Sequence, residues 1–295
     1  MKRKLMVSAV SIITAMSMLV GCGGGDSSGA GGSNKPGSSD GNWEYVATYN
    51  DFLKIEGNTY VMSFTSTDEK FYYGKYDYDP ETWEGDASLW IKDIETGDEK
   101  QVEIDMPFEG SDLYISDMAT DSDGNLSLIV DFYNEETDEE TFCIQSYSAD
   151  GEFLSSVNLS DIIEVDTPSA SEEDGYYYFN YFYPSQLCID KNGNYVFCDG
   201  NETIYCVNSE TYELEYEATA DGYIFSMVNS GDEIYVSGYM DIKSDSMVVM
   251  KWDTDKQDFY DETYEHIPSD AYYMFAGDDG MLYFNSGNNL YRYDL

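Results

Sequence analysis

Positive charge and histidine are scarce in this sequence. Fourteen lysines and arginines face fifty-nine aspartates and glutamates, for a formal net charge of -45, and there is a single histidine, His266. Nucleic acid and anionic lipid surfaces are bound through clustered Lys and Arg, so both are excluded as partners of the folded part. One histidine also removes most imidazole-based acid–base and metal chemistry. Sustained apolar spacing of helical period is absent after Trp43, as are a P-loop, a zincin helix and a GxSxG elbow. Low hydrophobicity, the mark of disorder, is absent too: 42% of residues are hydrophobic and 16% aromatic, enough for a packed core.

The N-terminus carries an address. Lys2, Arg3 and Lys4 precede a largely apolar run from Leu5 to Val20, too short for a membrane span and of signal-peptide length. The run ends in Leu19, Val20, Gly21 and Cys22. This resembles the bacterial lipobox, which implies a signal peptide over residues 1–21 and a mature chain starting at lipidated Cys22. Residues 22–42 then form a Gly/Ser-rich linker whose apolar side chains are only those of Cys22, Ala30 and Pro36. A tract of this kind reaches roughly 24 Å as a flexible chain. The expected location is the extracellular face of the cell membrane, with the membrane contacted through the lipid.

Residues 43–295 read as short Tyr/Val/Ile/Phe-rich alternating runs between Asp/Asn/Gly turns, the signature of strands. Two motifs alternate. The first is a strand, an acidic turn and a second strand, as in Met118–Leu128 around Asp121, Asp123, Gly124 and Asn125. It returns in Leu187–Phe197 around Asp190, Asn192, Gly193 and Asn194, and more loosely in Ser66–Tyr73, Met227–Val236 and Met274–Phe284. The second is a strand that ends in a turn-forming side chain: Asp93, Ser148, Asn208, Asp253 and Asp294. The first motif recurs at a mean interval of about 53 residues, close to the longer propeller repeats. Two hairpins per unit make four strands. The expected fold is therefore an all-β propeller of about five four-stranded blades.

The last blade reads as incomplete, because only Leu295 follows Asp294. Its fourth strand comes either from Trp43–Thr48 or from residues beyond the sequence.

The lipobox, the tether, the segment Glu44–Tyr49, the repeated acidic turns and the stretch Tyr272–Tyr291 together resemble a known arrangement. It is the N-terminal propeller region of Gram-positive lipoproteins that continue into an ABC-importer solute-binding domain. The resemblance implies a role in solute capture, often of sugars, with carbohydrate or ABC transporter components as partners. It also favours a chain that continues past residue 295, since no solute-binding domain is present here.

Candidate site residues are few. Asp121, Asp123 and Gly124 have calcium-loop character, but Phe132 stands where an EF-hand needs its bidentate glutamate. An Asx-stabilised turn is the better reading, and no metal or cofactor is expected. Cys143, Cys188, Cys198 and Cys206 are expected as buried thiols, with a Cys188–Cys198 disulfide as the alternative. Tyr78, Trp83, Tyr181 and Tyr183 lie in or beside loops next to carboxylates, where rings can stack on sugars. The same residues suit packing between blades. The functional expectation is a non-catalytic binding or accessory module. The alternatives are a protein–protein scaffold and, less favoured, a propeller-fold glycan hydrolase or lyase.

Overall fold

The computed structural model describes residues 43–48, 59–79, 81–82, 85–107, 112–134, 137, 139–163, 182–199, 202–220, 222–239, 247–266, 274–276, 281–286 and 289–294. The signal-peptide and linker assignments, with Cys22, lie outside these residues, as do Trp83 and Tyr181. The chain is all-β, with four-stranded blades in a propeller arrangement. Among the described residues, twenty strands form five antiparallel sheets of four.

Strand β1 (Trp43–Thr48) comes first in sequence and last in the ring. The first blade is β2 (Thr59–Ser66), β3 (Lys70–Tyr78), β4 (Gly85–Asp93) and β5 (Glu99–Val102). The second is β6 (Asp112–Thr120), β7 (Leu126–Asn134), β8 (Glu139–Tyr147) and β9 (Phe153–Asn158). The third is β10 (Ser185–Ile189), β11 (Tyr195–Cys198), β12 (Thr203–Val207) and β13 (Leu214–Thr219). The fourth is β14 (Tyr223–Ser230), β15 (Glu233–Tyr239), β16 (Val248–Asp253) and β17 (Asp258–His266). The fifth is β18 (Met274–Ala276), β19 (Met281–Ser286) and β20 (Asn289–Asp294), joined on its outer edge by β1.

That last pairing corrects the expectation of an incomplete final blade. β1 runs antiparallel to β20, with Trp43 opposite Tyr293, Tyr45 opposite Tyr291 and Thr48 opposite Asn289. The open edge of β20 needs backbone partners. Trp43–Thr48 supplies them, so no strand after Asp294 is required to complete this sheet.

Alternation along each second strand builds the core, because successive side chains leave opposite faces of a blade. On β7, Leu126, Leu128, Val130 and Phe132 pack with Tyr72, Leu89, Ile91 and Ile115 between the first two blades, while Ile129 joins the next interface with Tyr195 and Phe197. On β11, Val196 and Cys198 face Ile234, Val236 and Trp252 of the fourth blade. On β15, Tyr235 turns to the other side and meets Leu282 and Phe284 of the fifth. The second, third and fourth blades thus have both apolar faces covered by neighbours, and burial of this area supplies most of the stability.

The turns explain the two sequence motifs. Asp121 Oδ1 accepts from the backbone N–H of Asp123 and Asn125 at 2.9 and 2.8 Å, and Asp190 Oδ1 repeats this with Asn192 and Asn194 at 2.8 Å each. Both carboxylates are occupied by their own turns. In the second motif Asp93, Asn208 and Asp253 cap the turn in the same way. This turn ends in a left-handed residue, which is Gly97, Gly151, Tyr212 or Gln257 in successive blades.

Candidate functional site: the axial cavity and its rim

The innermost strands β2, β6, β10, β14 and β18 surround a cavity of about 630 Å³ on the ring axis. Its wall takes in Met62, Phe64, Ser116, Met118, Met227 and Met274, and its mouth lies among the turns at Asp121, Asp190 and Asp232. All five inner strands therefore run in the same sense and end at the same face of the ring.

Four of these strands carry one extra residue at a matching point. The register slips between Val61 and Ser63, between Ile115 and Asp117, between Ser185 and Cys188, and between Ile224 and Ser226. A bulge bends the strand and re-aims the side chains around it. Here it turns polar side chains sideways along the ring, into reach of the next inner strand.

The result is a chain of links between blades. Ser63 Oγ donates to Asp117 Oδ1 at 2.6 Å, and the backbone N–H of Leu187 donates to Asp117 Oδ2 at 2.7 Å, so one carboxylate joins three blades. The Met227 N–H donates to Gln186 Oε1 at 3.2 Å. Asn229 accepts from the Ile189 N–H at 2.8 Å and donates to the Ile189 carbonyl at 2.7 Å. Ser226 Oγ accepts from the Met274 N–H at 3.1 Å and donates to the Met274 carbonyl at 3.3 Å. Inner strands of neighbouring blades do not share a sheet, and these side chains stand in for the missing ladder.

Burial pushes the Asp117 carboxyl up to about 6, against the opposing pull of its donors Ser63, Met118 N–H and Leu187 N–H. Gln186 holds a left-handed backbone, φ 58, at the cavity wall. That conformation is costly for a side chain with a Cβ.

At the mouth face, lysines clasp adjacent blades. Lys70 Nζ donates to the Ala149 carbonyl at 2.7 Å and to Asp150 at 2.6 Å. Lys191 pairs with Asp255 at 2.5 Å, again from a first-motif turn to the next blade's second-motif turn. These are among the chain's few cations, placed where they cross-link blades.

Of the expected ligand-contact residues, the two that are described, Tyr78 and Tyr183, are not brought together. Tyr78 ends β3 on the first blade, stacked with Tyr76 at 6.4 Å between ring centres. Tyr183 precedes β10 of the third blade, 39% exposed, with its ring edge-on to Phe142 at 5.6 Å. Both lie at the face opposite the cavity mouth, two blades apart. Burial, then the nearby Tyr114 and Asp131, push the Tyr183 phenol up to about 12. The four described cysteines are buried thiols in no disulfide, and Cys188, Cys198 and Cys206 share one apolar cluster.

Sequence reasoning passed over Ser63, Asp117, Gln186, Ser226 and Asn229. The available signal was a polar side chain inside an inner-strand run, as at Asp117 between Ile115 and Met118.

No family model matches this chain, and no curated protein matches it. Among solved structures it is similar to a streptogramin B lyase, with 12% identity over 81% of this chain and 94% of that one, at a TM-score of 0.35. It is similar to the WD40 β-propeller domain of Doa1, with 10% identity over 85% and 97%, at a TM-score of 0.39. A third is BamB from Moraxella catarrhalis, with 12% identity over 82% of this chain and 60% of that one, at a TM-score of 0.42.

Proposed function

We propose that the chain is a lipid-anchored, extracellular propeller that binds a partner without transforming it, as an accessory to solute capture. The observation that carries the binding reading is the axial cavity. It is walled by all five inner strands, is of a size normal for small-molecule sites, and mixes methionine side chains with strand-edge polar groups. Of its acidic side chains, Asp117 holds blades together, and Asp121 and Asp190 serve their own turns. That favours binding over acid–base catalysis. The anchor rests on the sequence around Cys22.

Calorimetry of the full chain against a panel of neutral mono- and disaccharides tests the binding reading. Saturable heat that is abolished by Ser66→Trp, which fills the cavity, supports it. Uptake of heat unchanged by that substitution, or none from any saccharide, removes the solute reading. Turnover of a glycan substrate would replace it with an enzymatic one. Mass spectrometry of the mature N-terminus tests the anchor, which fails if Cys22 is unmodified.

One observation favours the scaffold alternative. β9 is the outer edge of the second blade and carries no charged residue, with Phe153 44% and Leu154 55% exposed. Edge strands are usually guarded by charge, so this edge is the place for a protein partner to add a strand.

A further inference from the structure

The polar links around the axial cavity use nearly every side-chain atom they contain. Asp117 uses both carboxylate oxygens, on Ser63 and on the Leu187 N–H. Asn229 uses its oxygen and its amide nitrogen on Ile189, and Ser226 both accepts from and donates to Met274. Gln186 differs. Its Oε1 accepts the Met227 N–H at 3.2 Å. Only the oxygen of an amide accepts, so this bond fixes which way round the side chain stands and leaves Nε2 with two hydrogens to donate. Among the described residues neither hydrogen is taken.

Nε2 is not sealed in the wall. The buried polar atoms without a partner among the described residues are Ser116 Oγ, Asp131 Oδ1 and Ser237 Oγ, and Nε2 is not one of them. Gln186 is half-buried and lines the cavity, so the open side of its amide is the cavity side. Three described lining side chains carry N–H groups. Lys191 gives its ammonium to Asp255 and Asn229 its amide to Ile189, which leaves Gln186 as the donor facing the lumen. Its backbone is also held at φ 58, at the bulge between Ser185 and Cys188, where glycine would sit without strain. A side chain kept at a strained position points to a use for it.

We propose that Gln186 is the specificity-determining residue of the axial cavity, donating from Nε2 to a hydroxyl oxygen of a neutral saccharide. A free donor calls for an acceptor on the ligand, and the charge around it restricts the kind. Asp117, Asp121, Asp190 and Asp232 line the same cavity against Lys191, whose charge is paired with Asp255. A wall of that sign repels carboxylates and phosphates. Among uncharged oxygens a hydroxyl fits best, because it can accept from Gln186 and also donate to the hydroxyls of Thr65, Ser66 and Ser230 on the same wall. Sugar acids and sugar phosphates are therefore refused. The inference rests on the small-molecule reading of this cavity and names the atom that does the recognising.

Glucose, galactose, maltose and lactose are titrated by calorimetry into the full chain and into Gln186→Met at pH 7.5. The monodeoxy forms of whichever sugar binds follow, with gluconate and glucose 6-phosphate. One monodeoxy form, lacking the accepting oxygen, is expected to bind the parent roughly tenfold more weakly than the complete sugar. Gln186→Met is expected to bind the complete sugar more weakly by a similar factor and not to distinguish it from that deoxy form. If Gln186 only holds blades together, the substitution weakens all sugars alike and the discrimination persists, which overturns the proposal. Anions binding as tightly as neutral sugars also overturn it. If Gln186→Met fails to fold, Gln186→Glu decides, since it keeps an acceptor for the Met227 N–H and loses the amide hydrogens: weaker binding supports the proposal and unchanged affinity overturns it. Heat that Ser66→Trp abolishes, with the discrimination intact in Gln186→Met, removes this inference alone. No heat from any sugar removes the solute reading and this inference together.

Discussion

The Ser63 hydroxyl and the Asp117 carboxylate meet at 2.6 Å across the seam between the first two blades. The other oxygen of the same carboxylate holds the third blade through the Leu187 N–H. Burying a charge there is costly, so the seam is sensitive to pH. A carboxyl raised to about 6 in the fold, from 3.8 unfolded, binds its proton more tightly when folded. The contribution of this carboxyl to stability is therefore expected to rise as pH falls from about 7 to about 4, the reverse of the usual aspartate effect. Asp117→Asn should be more stable than the parent at pH 8, by at most about 3 kcal/mol, and nearly equal to it at pH 4. Melting curves of both chains across that range check the sign.

Ser226 makes two bonds to the backbone of Met274 from a buried position. Ser226→Ala leaves a buried N–H and carbonyl without their partner. A loss of about 1–3 kcal/mol is expected, read as a lower denaturant midpoint with an unchanged slope.

The second-motif turn offers a paired test. Gln257 occupies the left-handed position at φ 56 in the fourth blade, where the first two blades use glycine. Gln257→Gly should stabilise by up to about 1 kcal/mol, since the strain relieved exceeds the added chain entropy. Gly151→Ala should do the opposite. Its φ is 77, and a Cβ there would stand 2.7 Å from Val102 Cγ2 and 2.9 Å from Ile91 Cδ1. Thermal unfolding of the two variants checks the contrast.

Lys70 and Asp150 form an asymmetric clasp. The lysine side chain is 21% exposed and the aspartate 85%. Because Lys70 also serves the Ala149 carbonyl, Lys70→Met should cost about 1–2 kcal/mol, and Asp150→Ala clearly less. Unfolding at high salt should narrow the cost of neither by much more than the exposed ion pair contributes.

The propeller was legible in the sequence because both its devices are local. Alternation along β7 and β11 declares two buried faces, and the acidic turns at Asp121 and Asp190 satisfy themselves. The cavity's polar links were not legible, because a bulge such as that at Ser116 depends on the neighbouring strand. Before the register is known, Asp117 is one acid among fifty-nine. The source of the last blade's fourth strand stayed open in the sequence, because fourth strands follow third strands in every earlier unit, and the structure takes the Trp43–Thr48 alternative. Of the proposed ligand aromatics, Tyr78 and Tyr183 fall on the face opposite the cavity mouth, a relation that depends on the direction of the inner strands.

Pairing Trp43 with Tyr293 joins residues about 250 positions apart in sequence. A chain emerging N-terminus first makes β1 at the start and its partner β20 at the end. Four blades can assemble on the way, but the fifth waits for both. Until then β1 is an unpaired strand whose only charge is Glu44, open to pairing with another chain. Closing so long a loop is slow relative to forming hairpins. The last joining of the ring is therefore the expected late step of folding, and the stage at which two unfinished copies are most exposed to exchanging their first strands.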